Sequence, residues 1–137
     1  MTSTVIYNSD LRTTCTHLNS GNHFETDAPT DNNGKGERFS PTDLLATSLG
    51  TCMLTVMGIK ARTMGFDLND IKIEVLKIMK ADPRRVSGIE LTVHIPEALK
   101  NIDEKTKATL KHTGNTCPVI KSIHPDIDVK VDWGSWS

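Results

Sequence analysis

The chain has 137 residues, with 16 Lys and Arg against 17 Asp and Glu, for a formal net charge of −1. That balance lacks the basic footprint of a nucleic-acid binder. The length argues for one domain over residues 1–137, large enough to fold without disulfide staples.

The first 26 residues read as short strands. Thr4–Asn8 is β-rich, Ser9-Asp10 is a turn, and Leu11–Leu18 alternates in character. Asn19-Ser20-Gly21-Asn22 forms a second turn, beyond which His23–Thr26 can pair. Asp27–Glu37 (DAPTDNNGKGE) is rich in Gly, Pro, Asn and Asp and reads as a long loop, a common place for function.

Ser40-Pro41-Thr42-Asp43 supplies an N-cap serine, a proline at the first helical position and an acid at the third. Leu44, Leu45, Leu49, Cys52, Met53, Val56, Met57 and Ile59 then follow at helical spacing until Gly65. Leu44–Ile59 carries no charge, which predicts a central, buried helix.

Ile71–Val75 and Ile89–Ile95 alternate apolar and polar residues around a turn-rich stretch, as an antiparallel hairpin does. Pro96-Glu97 opens a helix running past Leu99, Ile102 and Leu110. Asn115-Thr116-Cys117-Pro118 starts a further short helix, and Ile127–Trp133 alternates as a last strand. The expected order is β-β-β-α-β-β-α-α-β, an α+β protein with its helices segregated against antiparallel sheet.

No apolar run approaches the roughly 20 residues of a membrane span. The opening Met1-Thr2-Ser3-Thr4-Val5-Ile6-Tyr7 lacks the basic start and apolar stretch of a secretory signal. A cytoplasmic protein without membrane or nucleic-acid partners is expected. Three cysteines, Cys15, Cys52 and Cys117, are too few and too odd in number for a disulfide scaffold.

Cys52 lies mid-helix, where the dipole helps little and burial would keep a thiol inert. A reactive Cys52 therefore needs an imported cation, for which arginine is suited because it stays charged when desolvated. Cys117 precedes Pro118 and so occupies an N-cap, where free N–H groups stabilise a thiolate; by position it is the more acidic thiol. Cys15, in a Thr-rich strand, reads as structural. The five His show no CxxC or HxxxH spacing, so neither a metal nor a cofactor is expected.

Two stretches carry a resemblance. Phe39-Ser40-Pro41-Thr42-Asp43-Leu44-Leu45-Ala46-Thr47-Ser48-Leu49-Gly50-Thr51-Cys52 resembles the proline-to-cysteine helix signature of the OsmC/Ohr family, the osmotically inducible and organic hydroperoxide resistance proteins. Thr116-Cys117-Pro118-Val119 resembles the same family's second cysteine motif. The resemblance implies an OsmC-like fold, with antiparallel sheets wrapped around the long central helix, and an intertwined homodimer with active sites at the subunit interface. It implies a thiol peroxidase cycle in which Cys52 attacks an organic hydroperoxide and becomes a sulfenic acid. Cys117 then condenses with it to a disulfide, and a dithiol reductant, lipoyl-linked in this family, restores both thiols.

The family also activates its attacking thiol with an arginine and a carboxylate. Arg12, in Asp10-Leu11-Arg12, is the implied arginine. The family's carboxylate directly follows the proline, where this chain has Thr42. Glu37 and Asp43 are the substitutes, with Asp43 also the expected helix cap. The competing expectation is a binding or stress protein on the same fold, holding an apolar small molecule without efficient peroxidase activity.

Overall fold

A computed structural model describes residues 1–137. The chain groups into two compact units, Met1–Leu45 and Ala46–Ser137, with the boundary falling inside one helix.

The first unit is an antiparallel meander of β1 (Ser3–Tyr7), β2 (Arg12–His17) and β3 (His23–Asp27). These are the three expected strands, within a residue or two at each end. The register places Val5, Cys15 and Phe24 in one cross-strand row and Arg12 opposite Asp27. β1 is exposed along its whole length, whereas β3 ends in the buried pair Thr26 and Asp27.

The segment after β3 is a braced loop. Ala28 N–H donates to Leu11 O, Gly34 N–H to Pro29 O and Gly36 N–H to Ala28 O, around a single 3-10 turn at Thr30–Asn32. A Cβ at Gly34 would lie 1.7 Å from the Ala28 carbonyl oxygen, so only glycine lets the two backbones approach this closely.

Helix α1 (Pro41–Thr63) starts with a reciprocal capping box. Asp43 N–H donates to Ser40 Oγ at 3.0 Å, and Ser40 N–H donates to Asp43 Oδ2 at 2.9 Å. It ends in a Schellman arrangement, with Phe66 N–H on Ala61 O and Gly65 N–H on Arg62 O, and with Gly65 at φ +91°.

The helix buries one stripe, Ala46, Leu49, Gly50, Met53, Met57 and Ala61. The helix expected to be central and buried is so along that stripe; within one chain Thr51, Thr55 and Ile59 on the other face are exposed. The expectation that no run approaches a membrane span is corrected, because α1 is long and apolar enough to cross a bilayer by length and composition. Its Leu, Ile, Val, Met, Cys and Ala residues raise its hydropathy. The buried stripe nevertheless builds the core of the second unit, which is the behaviour of a core helix.

In that second unit β4 (Lys72–Lys80) pairs antiparallel with β5 (Arg85–His94), and β6 (Asp128–Asp132) joins the other edge of β5. The β5–β6 pairing is parallel, which corrects the expectation of a purely antiparallel sheet. The chain leaves β5, crosses through two helices and returns in the same sense, as a parallel connection requires. Ile89, Leu91 and Val93 alternate inward from β5. At Gly50 the helix comes so close to the sheet that a Cβ would sit 3.3 Å from Val75 and 3.6 Å from Ile73.

The helix expected from Pro96 through Leu110 is two, α2 (Glu97–Lys100) and α3 (Glu104–Asn115). Asp103 makes the break: its carboxylate accepts from Thr106 N–H at 2.9 Å and Thr106 Oγ1 at 2.6 Å, so the chain re-caps rather than continuing. After α3 there is no further helix at Cys117. Residues 118–122 form turns, with Lys121 N–H donating to Cys117 O at 3.3 Å. The chain closes with a 3-10 turn, Gly134–Trp136, that inserts Trp136 into the core, its Nε1–H donating to Leu99 O at 2.9 Å. Trp133 is buried as well, so both tryptophans belong to the core.

Candidate functional site

Two groupings of chemically capable side chains stand out, one in each unit. In the second unit Cys52, in the fourth turn of α1, is half-buried against the core, and Cys117 is 1% exposed. Sixty-five residues apart in sequence, the two thiols are near enough for Cys52 to raise the pKa of Cys117. Both are unpaired thiols in this structure.

Cys117 follows the end of α3, held by its own N–H on Gly114 O at 3.3 Å. The backbone N–H groups of Ile120 and Val119 favour its thiolate, as an N-cap position would. Burial outweighs them. It pushes the Cys117 thiol up, and the neighbouring Cys52 pushes in the same direction. The positional expectation that Cys117 is the more acidic thiol is therefore corrected: a lone turn aligns too few peptide dipoles to offset full desolvation.

In the first unit Arg12 opens β2 directly opposite the last residue of β3. Its guanidinium is clamped bidentately by Asp27, Nε to Oδ1 at 2.7 Å and Nη2 to Oδ2 at 2.9 Å. Asp27 is 1% exposed and accepts a third bond, from Glu37 N–H at 3.1 Å. The guanidinium holds the Asp27 carboxyl below the usual carboxylate range, and the same contact raises the pKa of Arg12. Glu25 and Glu37 stand farther off, at 3.8 and 3.9 Å from the guanidinium, and Arg38 faces Glu25 at 3.8 Å.

The carboxylate bonded to Arg12 is thus neither Glu37 nor Asp43. The Glu37 side chain is 59% exposed, and Asp43 is engaged in the helix cap. Sequence reasoning missed Asp27 because it placed that residue in the loop. The signal was the hairpin register, in which paired residue numbers sum to 39. It is a fragile signal, since a two-residue slip would set Glu25 against Arg12 instead.

Glu25, Glu37 and Arg38 also line, with His23, Phe24 and Phe39, an open cavity of about 820 Å³ within the first unit. Cys15 lies between Val5 and Phe24 in the sheet, with Thr13 Oγ1 at 4.0 Å as its polar neighbour. His94, at the end of β5, pairs with Glu74 at 2.9 Å.

The family profile described as OsmC-like protein matches residues 34–132. Among solved structures, a proposed osmotic stress-induced and detoxification response protein of Psychrobacter arcticus is 55% identical. It covers 96% of this chain and 94% of its own, with a TM-score of 0.90. The organic hydroperoxide resistance protein OsmC of Legionella pneumophila shares the fold at a TM-score of 0.71 and 17% identity, over 95% of this chain and 93% of its own. OhrB of Bacillus subtilis, also an organic hydroperoxide resistance protein, does so at 0.64 and 19%, over 96% and 97%. No curated protein matches significantly. With the profile covering most of the chain and a solved relative matching nearly all of it, this chain belongs to the OsmC-like protein family.

Proposed function

We propose that this protein is a thiol-dependent peroxidase that reduces organic hydroperoxides in oxidative-stress defence. The observation that carries the reading is the proximity of Cys52 and Cys117, two thiols from distant parts of the chain that both belong to the core of the second unit, one half-buried and one enclosed. Family membership, and the hydroperoxide-resistance names of the two more distant relatives, support it.

In the proposed cycle the Cys52 thiolate attacks the terminal oxygen of the hydroperoxide. The O–O bond breaks, Cys52 becomes a sulfenic acid, and the alkoxide leaves as the alcohol after taking a proton. Cys117 sulfur then attacks the sulfenic sulfur, forming the Cys52–Cys117 disulfide and releasing water. A dithiol reductant, lipoyl-linked by the family resemblance, returns both thiols through a mixed disulfide. The enclosed, poorly ionised Cys117 suits the resolving role, because it competes weakly for peroxide. By the family resemblance, Arg12 is the cation that activates the attacking thiol.

The reading includes a cytoplasmic homodimer with its sites at the subunit interface. The uncharged outer face of α1 supports a partner, as do Val5, Ile6 and Tyr7 of β1, all more than 60% exposed. The apolar and aromatic lining of the 820 Å³ cavity favours the competing ligand-binding reading.

The test is intact-mass and non-reducing peptide mapping after one equivalent of cumene hydroperoxide, on wild type, Cys52→Ser and Cys117→Ser. A Cys52–Cys117 disulfide in wild type and a Cys52 sulfenic acid in Cys117→Ser are expected. Unmodified thiols in all three proteins would remove the peroxidase reading in favour of ligand binding. Sedimentation velocity checks the dimer.

A further inference from the structure

We infer that Gly114 is a positioning residue of the Cys52–Cys117 pair: the side chain it lacks lets the end of α3 settle against Met57 of α1, and that closeness sets Cys117 within reach of Cys52. The inference rests on the peroxidase reading above and names the residue that places its second thiol.

Three features of the second unit carry it. The first is what glycine supplies at this position. Gly114 is buried in the last turn of α3, and its φ is not positive, so the backbone conformation does not call for it. In a helix glycine is a poorer former than alanine. What it supplies is space. A Cβ there would lie 2.9 Å from Met57 Sδ, 3.4 Å from Met57 Cγ and 3.3 Å from the Trp133 ring.

The second is that these neighbours are enclosed. Met57 is 0% exposed and Trp133 is 8% exposed, and close-packed interior side chains have little room to retreat. An ordinary contact between such atoms needs about 3.5–4.0 Å, so an added methyl group drives the end of α3 away from α1 by about 0.6–1 Å.

The third is the short route from Gly114 to the thiol. Gly114 O accepts the Cys117 N–H at 3.3 Å, which ties Cys117 to the helix end through one turn of backbone. On the α1 side Met57 and Cys52 are five residues apart, about 7.5 Å along the axis. Both thiols belong to the same core, so a displacement at Gly114 reaches Cys117 while Cys52 stays on its helix. For a reacting pair, a misplacement of about 1 Å can cost about a hundredfold.

The experiment is a redox titration of the full-length protein in glutathione buffers, on wild type, Gly114→Ala, Met57→Ala and the double variant. In it Cys52 and Cys117 give up two protons and two electrons to oxidised glutathione. The Cys52–Cys117 bond forms, the glutathione disulfide breaks, and two reduced glutathiones leave. After acid quench, unfolding and alkylation, peptide mass spectrometry reads the oxidised fraction, which gives the effective concentration of one thiol at the other.

Gly114→Ala should lower that effective concentration about tenfold or more, a rise in potential of about 30 mV. Removing the obstructing side chain should cancel the loss, so the double variant matches Met57→Ala alone. A merely structural glycine would lower the thermal midpoints of the reduced and oxidised forms alike and leave the potential unmoved. That outcome, or a double variant with a lower effective concentration than Met57→Ala, overturns the inference while leaving the peroxidase reading intact. Where Gly114→Ala does not fold by itself, the comparison of the double variant with Met57→Ala decides. A wild type that forms no Cys52–Cys117 disulfide at any glutathione ratio overturns both.

Discussion

Cys117 should be the slow thiol of the pair, and the margin follows from its surroundings. An ordinary thiol, with a pKa of about 8.5, is about 3% ionised at pH 7. Burial and the neighbouring Cys52 push Cys117 above that value, so its thiolate is scarcer still. At 1% exposure its sulfur meets an electrophile only when the 117–122 turn opens. An opening free energy of only about 1.4 kcal/mol already slows reaction about tenfold, and the ionisation deficit adds to it. Iodoacetamide at pH 7, followed by peptide mass spectrometry over time, should therefore label half-buried Cys52 at least about ten times faster than Cys117. Equal or faster labelling of Cys117 would refute the reasoning. In Cys52→Ser one upward push disappears and burial remains, so the alkylation profile of Cys117 should move to lower pH yet stay above that of an ordinary thiol. The stability sign follows as well. A raised thiol pKa contributes stability below about pH 8.5 that is lost as pH rises through the folded value, and Cys117→Ala should flatten that alkaline decline.

Trp136→Ala, one residue from the C-terminus, should cost about 3–5 kcal/mol despite its terminal position, because the ring is 1% exposed and bonded to Leu99 O. Trp136→Phe should cost less, and urea unfolding of the two variants separates packing from the hydrogen bond. Glu74, held at about 2 by Lys72 and His94, contributes stability above the usual carboxylate range that is lost as pH falls through that value. Urea midpoints between pH 5 and 2 should fall less steeply in Glu74→Gln than in wild type. Gly34→Ala should destabilise the 28–36 loop by about 1–3 kcal/mol or more, since the new Cβ would meet a backbone oxygen at 1.7 Å. Faster limited proteolysis within the loop is the readout.

The two cysteine motifs, the capped helix and the strands were legible in the sequence because each depends on local chemistry, whereas the two helices after β5 fell elsewhere than expected. Ser40 and Asp43 are three residues apart and cap the helix whatever lies around them, and Gly65 ends it for the same kind of reason. Alternation likewise exposed the strands of both sheets. What the sequence could not decide was set by contacts between distant residues. The parallel placement of β6 depends on where the chain re-enters after α3, and no local pattern distinguishes the two edges or senses of β5. The acidity of Cys117 was misread because its N-cap-like position is visible in sequence while its burial is not, and burial is the larger effect. Asp27 escaped notice because its partner is 15 residues away, across a hairpin whose turn length sets the pairing. Sequence alone therefore determined which residues could do chemistry; tertiary structure decided which carboxylate holds the arginine and which thiol is enclosed. Both of those depend on desolvation and distance, which exist only once the chain has folded.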